Sequence, residues 1–321
     1  MLAPYPTLHD VIEEAHKLGS VKVYGRSVEG RALTAFCVPG GGAEDGRPAL
    51  VVTAAIHGLE HVGVAVAMEV LRRGPIPGAD LWVCPVLNPD AYVETQRTDG
   101  AASVAALRRN ANGVDLNRNF PLPWGARPSR MPGAGSSDPA SATFRGTAPL
   151  SEPETHHLAQ LLLELRPHCS LNLHSFMGTL ICARVWRPGD WLGYRRLVRA
   201  FRRGQGGLLR YRRLGTPLLD VFTGELEDWQ HHVLRCWGIC VECFSLPETF
   251  WQHPRAPNPF WRFNPRDPGP VVARDAAGVR ATLEASLQLP RPRLYPGAAH
   301  TLGAWDPPTP AAGRAHTPTR S

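Results

Sequence analysis

The 321-residue sequence contains no apolar run approaching the ~18–20 residues that cross a bilayer, so no helical membrane span is expected. Its first residues, MLAPYPTLHDVIEEAHKLG, lack the basic start and apolar core of a secretion signal, and a cytoplasmic protein is expected. Paired cysteine spacing is also missing. Seven cysteines, an odd number, exclude a disulfide framework and fit buried free thiols in a reducing compartment. Lysine is nearly absent: Lys17 and Lys22 leave 33 of the 35 basic residues as arginine. A skew running along the whole chain reads as a coding bias, as in a GC-rich genome, so the formal charge of +7 does not itself call for nucleic acid. The densest basic stretch, residues 195–213, has few interleaved aromatics and no nucleic-acid motif; a solvated helix face is expected there.

What is present is a globular composition, 43% hydrophobic and 20% charged, at a length that single α/β enzymes reach. Residues 49–55 (ALVVTAA) read as a buried strand ending at Ile56-His57-Gly58, and residues 63–73 as a helix stopped by Gly74-Pro75. A second strand is expected at 80–86. Ser151-Glu152-Pro153-Glu154 reads as a capping signal, with serine as N-cap, for a helix running to about Leu165. Strands follow at 170–173, 180–183 and 239–244, and helices at 191–203, 226–237 and 270–287. This alternation implies an α/β fold: a single-domain, mixed, mostly parallel sheet with helices on both faces. Ligand sites in such sheets lie beyond the carboxyl ends of the strands. Residues 1–289 are expected to form the folded unit and residues 290–321, rich in proline, a disordered tail; residues 121–149 read as a long surface loop.

His57-Gly58-Leu59-Glu60-His61 stands directly after the first of these strands. A histidine and a glutamate three apart can hold one metal, whereas H-x-x-E-H would use both histidines with Glu60 as base. The second pattern needs a continuous helix from His57 to His61. Gly58 after a strand end fits a turn better, which leaves His61 as a neighbour or a structural residue. Further along, Asn117-Arg118 places an amide beside a guanidinium, a pair able to clamp a carboxylate; the plain reading is a loop held by Asp115 and Arg118 pairing elsewhere.

Together these residues resemble the zinc carboxypeptidase A family of metallopeptidases, over roughly residues 24–289. The resemblance runs through Gly25-Arg26-Ser27-Val28-Glu29-Gly30-Arg31, His57-x-x-Glu60, the GVDLNRNF block, Ser151-Glu152-Pro153-Glu154, Leu173-His174-Ser175 and Val241-Glu242. It implies one zinc ion per chain on His57, Glu60 and His174, with the open fourth position of catalytic zinc. It implies Glu242 as general base and acid, a role that accounts for a charge placed inside the apolar run ICVECF. Asn117 and Arg118 resemble the pair that grips a substrate's terminal carboxylate. An arginine should steady the oxyanion, and of the adjacent Arg108 and Arg109 the first is preferred.

One departure concerns a mobile tyrosine that the digestive carboxypeptidases carry before the catalytic glutamate: residues 215–229 contain none. That absence, and the block from Arg108 to Pro121, resemble the bacterial murein peptide amidases, which cut γ-D-glutamyl–diaminopimelate bonds. A longer chain and the loop after Pro121 stand against that subgroup. The resemblance thus implies a carboxypeptidase-type hydrolase acting on a small peptide with a free carboxylate, without nucleic-acid or membrane partners. Aspartoacylase-like deacylases share the zinc site and the D-L-N-R block, but the S-E-P-E and G-x-S-x-E-G-R segments fit peptidases better. An inactive zinc-binding protein is disfavoured because every catalytic position is filled.

Overall fold

The computed structural model describes residues 2–41, 46–122, 131, 133–207, 210–214, 222–245 and 250–293. The chain opens with helix α1 (Leu8–Leu18), closed by a Thr7–Asp10 capping box, and a hairpin of β1 (Ser20–Arg26) and β2 (Ala32–Val38). Then come β3 (Ala49–Ala54), α2 (His61–Arg72), β4 (Asp80–Cys84), α3 (Pro89–Arg97) and α4 (Val104–Arg108). Beyond a long excursion lie α5 (Pro153–Leu165), β5 (Cys169–Ser175), β6 (Thr179–Cys182), α6 (Pro188–Gln205) and the short β7 (Arg212–Arg213). The last elements are α7 (Leu226–Leu234), β8 (Trp237–Cys243), α8 (Phe260–Phe263) and α9 (Gly269–Ser286).

The strands form one eight-stranded sheet in the order β1-β2-β4-β3-β5-β8-β6-β7. β4, β3, β5 and β8 run parallel at its centre, while β1, β2 and β6 join antiparallel. Every residue of β3 and of β5 is buried, as continuous apolar strands covered on both faces require. Alternation along β3 divides the core. Leu50 and Val52 pack with Val66 of α2, Phe201 of α6 and Val279 of α9, whereas Val51 packs with Leu158 of α5 and Trp229 of α7. Helices therefore cover both faces, as the apolar runs imply.

Several local expectations need correction. Helix α7 stops at Leu234 rather than Trp237, because Arg235 turns left-handed (φ 55°) and Trp237 pairs with Cys169 as the first residue of β8. Ser151 is not the cap of α5. The N-cap is Glu152 with Pro153 first in the helix, and the Ser151 hydroxyl accepts from Asn119 Nδ2 at 3.0 Å. Helix α1 and the β1–β2 hairpin precede the first strand expected: β1 exposes Val21 (41%) and Val23 (58%), whereas β2 is buried from Leu33 to Cys37. Of the expected tail, residues 294–321 lie outside the described residues, as do 123–130 and 132 of the expected loop.

The G-x-S-x-E-G-R segment is the turn of that hairpin, and it is a structural clasp. Ser27 Oγ donates to Asp90 Oδ1 (2.7 Å), the Glu29 amide to Asp90 Oδ2 (3.0 Å), and Arg31 Nη1 to Asp90 Oδ1 (2.7 Å). The Val28 amide donates to Glu154 Oε1 at 3.1 Å, and Asn110 Nδ2 donates to Glu154 Oε2 at 3.1 Å. Burial outweighs those bonds and pushes the Glu154 carboxyl up to about 7. A carboxyl raised on folding contributes stability that is complete below its unfolded pKa and is lost as pH rises through about 7. Glu154→Gln should therefore gain on the parent by about 1–3 kcal/mol between about pH 4.5 and pH 8, measured by denaturant unfolding. A parent-to-variant difference that stays constant over that range would show Glu154 ionised in the fold.

Candidate metal centre and active site

Parallel β3 and β5 pair Ala54 with Leu173, which brings the chain after β3 to the end of β5. Between β3 and α2, the segment from His57 to Glu60 makes a tight turn closed by the Glu60 amide on His57 O (3.1 Å). Gly58 is required there, since a Cβ would lie 2.3 Å from the Ala91 carbonyl carbon. Glu60 is the N-cap of α2 and His61 its first residue, so no helix spans His57 to His61 and the H-x-x-E-H arrangement is absent. Instead the His61 ring stacks on Tyr92 (centroids 3.8 Å apart, 9° between planes), and burial lowers its pKa to about 3.

His57 Nδ1 lies 2.8 Å from Glu60 Oε1, and His174 Nδ1 lies 3.1 Å from Glu60 Oε2. All three side chains are buried, and their ligand atoms fall within 4.8 Å of one another. Burial alone would raise the Glu60 carboxyl, but His57 and His174 overcome it and hold Glu60 below the usual carboxylate range. In return Glu60 outweighs the burial of His174 and raises that imidazole. Two imidazoles and a carboxylate converging in this way are a zinc-type donor set, three protein ligands with room for a fourth, and the residues fit the ion.

His57 Nε2 lies 3.2 Å from Asp115 Oδ1. That contact holds the ring with Nδ1 turned toward Glu60, and with Nε2 as the donor to Asp115 the Nδ1 lone pair would serve a metal. Burial opposes the charge on Asp115, but Arg108, Arg118 and His57 hold its carboxyl well below the usual range. Asp115 is the residue the sequence reading passes over as a loop-pairing acid. The GVDLNRNF block flags it, but nothing in the spacing points to His57.

Glu242 sits opposite His174 in the β5–β8 register. Burial raises its carboxyl above the usual range, with Glu60 adding to the rise and His174 opposing it. Cys240, two residues back on β8, forms a second close group with His174 and Glu242. Burial, then Glu227 and Glu242, push that thiol far up, which disfavours a thiolate ligand. Left-handed backbone flanks the site at Ala55 (φ 48°) and Phe244 (φ 68°), just beyond β3 and β8.

The adjacent arginines part ways at the end of α4. Arg108 Nε donates to Asp115 Oδ2 at 2.8 Å, in the field of Glu60 and Glu242. Arg109 turns to the Ala105, Pro139 and Ser141 carbonyls. Asn117 Oδ1 accepts from the Leu226 amide (3.0 Å), and Arg118 Nη1 donates to Asn117 O (2.7 Å) and lies 3.6 Å from Glu225 Oε1. Asp228 is engaged by Arg184, whose amide and Nε reach it at 2.8 and 2.7 Å. Glu227 is buried and close enough to help raise His174. Of the stretch that lacks tyrosine, residues 215–221 lie outside the described residues.

The sequence matches the family described as zinc carboxypeptidase over residues 5–73 and 76–262. Murein peptide amidase A of Escherichia coli strain K12 is 33% identical over 172 residues, covering 53% of this chain and 64% of that protein. Metallocarboxypeptidase A of Trichophyton tonsurans is 33% identical over 141 residues, covering 39% of this chain and 32% of that protein. The chain thus matches between about a third and just under two thirds of these relatives' lengths. Carboxypeptidase A from Helicoverpa armigera has the same fold, with a TM-score of 0.69 at 20% identity, covering 90% of this chain and 75% of that one.

The geometry sets an order of metal loss. His174→Ala should strip zinc on dialysis and His61→Ala should keep it, with metal content read by elemental analysis. Asp115→Asn should weaken zinc binding about 10- to 100-fold through the misoriented His57 ring. Retention of zinc by His174→Ala together with its loss from His61→Ala would contradict the donor set.

Proposed function

Because the chain belongs to the zinc carboxypeptidase family, we propose that it is a carboxypeptidase-type hydrolase that cleaves an amide bond beside a free terminal carboxylate, using one zinc ion held by His57, Glu60 and His174. The observation that carries this reading is the convergence of those three donors with Glu242 on the next strand, faced by Arg108 and Arg118. Zinc in such a site supplies Lewis acidity to a carbonyl and acidifies water. Glu242 accepts a proton from the attacking water at its carboxylate and returns it to the leaving nitrogen. Arg108, braced by Asp115, faces the negative charge that grows on the carbonyl oxygen, where a fixed cation is worth most. Asn117 and Arg118 hold the terminal carboxylate and so set which bond is presented.

For the substrate we propose a murein-derived peptide ending in diaminopimelate. The similarity to murein peptide amidase A supports this, as do Glu225 and Glu227, buried acids near Arg118 and His174 that suit an amino-bearing residue. The proposed setting is the cytoplasm: all seven cysteines are buried free thiols. No helix among the described residues is long and apolar enough to cross a membrane.

Glu242→Gln should retain zinc and fold yet lose at least ~10²-fold in turnover, the low end for a removed general base. Near-normal turnover in that variant would contradict the mechanism. The zinc-loaded protein should release diaminopimelate from L-Ala-γ-D-Glu-diaminopimelate, and amidating the terminal carboxylate should lower kcat/KM sharply unless Arg118 is replaced by alanine. Efficient release of phenylalanine or leucine from ordinary peptides, with the murein peptide left intact, would overturn the substrate while leaving the chemistry.

A further inference from the structure

Arg118 also lines a cavity of about 480 Å³, and a second guanidinium, that of Arg145, lines it too. The two side chains pack against one glycine: a Cβ on Gly135 would stand 3.1 Å from Arg145 Nη2 and 3.2 Å from Arg118 Cδ. Arg145 Nη2 donates to Gly135 O, and Arg118 Nη2 reaches Gly133 O at 3.4 Å. The Nε of each arginine is buried and has no hydrogen-bond partner among the described residues. Glu225 stands near Arg118 at 3.6 Å, but among the described residues no carboxylate comes within ion-pair distance of Arg145. Burial, and then the charge of Arg118, lower the pKa of Arg145. Arg118 is buried and Arg145 part-buried, and each leaves a buried Nε donor over, a loss that an anion held between them would offset. The remaining walls include Phe120, Leu122 and Phe144, which suit an aliphatic stem.

We infer that Arg145 is a second carboxylate-binding residue, and that the released residue carries a second carboxylate at the end of an aliphatic side chain. Its α-carboxylate meets Arg118 and its distal carboxylate meets Arg145. The inference rests on the proposed role of Arg118, and it makes Arg145 a specificity determinant, touching the substrate remote from the reacting atoms.

Three substrates isolate the distal carboxylate: L-Ala-γ-D-Glu extended by diaminopimelate, by lysine, which lacks only that carboxylate, or by 2-aminopimelate, which lacks only the distal amine. The zinc-loaded full chain should favour diaminopimelate and 2-aminopimelate over lysine. Arg145→Ala should reduce the diaminopimelate-to-lysine ratio of kcat/KM by about 10- to 100-fold, chiefly through KM, the scale of one lost charged hydrogen bond. Arg145→Lys should restore part of the ratio. A parent that does not distinguish lysine from diaminopimelate would overturn the inference and leave the peptidase reading intact. A loss shared equally by both substrates in Arg145→Ala would mark a merely structural arginine and also overturn it. Failure of the parent on all three peptides would instead count against the murein-peptide substrate. Calorimetric binding of free diaminopimelate against free lysine then decides Arg145, with a parent preference lost in Arg145→Ala as the supporting result and equal binding as the overturning one.

Discussion

Glu60 places a carboxylate with 2% of its side chain exposed against both His57 and His174, and burying such a charge costs several kcal/mol unless it is partnered. Much of the surrounding architecture serves that partnership. β3 and β5 must be parallel neighbours so that His57 and His174 emerge at the same edge. The turn between β3 and α2 must approach α3 closely enough that Gly58 has no space for a Cβ. Helix α2 must then run past β5, where Gly63 sets its backbone close to Leu173 O, 3.1 Å from where a Cβ would stand. A Cβ at Gly58 would force the turn away from α3, while one at Gly63 would press on the Leu173 carbonyl.

Asp115 extends this arrangement outward. It is fully buried, and its two oxygens meet His57 Nε2, the Asn117 amide (3.1 Å) and Arg108 Nε. One carboxylate thereby orients the His57 imidazole, braces Arg108, and sets the turn carrying Asn117 and Arg118. Replacing such a hub leaves several buried partners unsatisfied at once, which is more costly than the loss of one bond. The site is therefore one electrostatic unit in which acids and guanidiniums offset one another, and a dication adds to the positive side of that balance.

The parts of the molecule legible in the sequence are those whose signal is local. Apolar runs mark β3 and β8, alternation marks β5, and the strand-end position of His57 separates a turn from a helix. Arg108 and Arg109 are indistinguishable in the sequence because they are neighbours; only the end of α4, where Arg109 becomes extended (φ −77°, ψ 162°), sends them to different surroundings. Asp115 is illegible for a different reason: its partner His57 lies 58 residues away, and no periodicity reports a contact at that separation. Ser151 misleads because its hydroxyl accepts from Asn119 and donates to Glu152 Oε1 instead of capping the helix. The hairpin escapes notice for two reasons: edge strand β1 exposes Val21 and Val23, and the buried run of β2 is too short for periodicity to assign.

Catalysis and discrimination are also built on different kinds of structure. His174 and Glu242 lie on central strands and His57 and Glu60 in the short turn after one, a frame whose packing leaves little freedom. Arg145 belongs to the irregular excursion before α5, whose composition reads only as a loop. That excursion is nonetheless tied down, by Arg109 at Pro139 and Ser141 and by Asn119, whose Nδ2 donates to Arg145 O (2.8 Å), Ala148 O (3.0 Å) and Ser151 Oγ (3.0 Å). Asn119 follows Arg118 directly, so a residue that fixes the loop and the residue proposed to grip the substrate share a backbone turn. Side chains along the loop wall can therefore vary while these backbone anchors hold it beside Arg118, apart from the frame that carries His57, Glu60, His174 and Glu242.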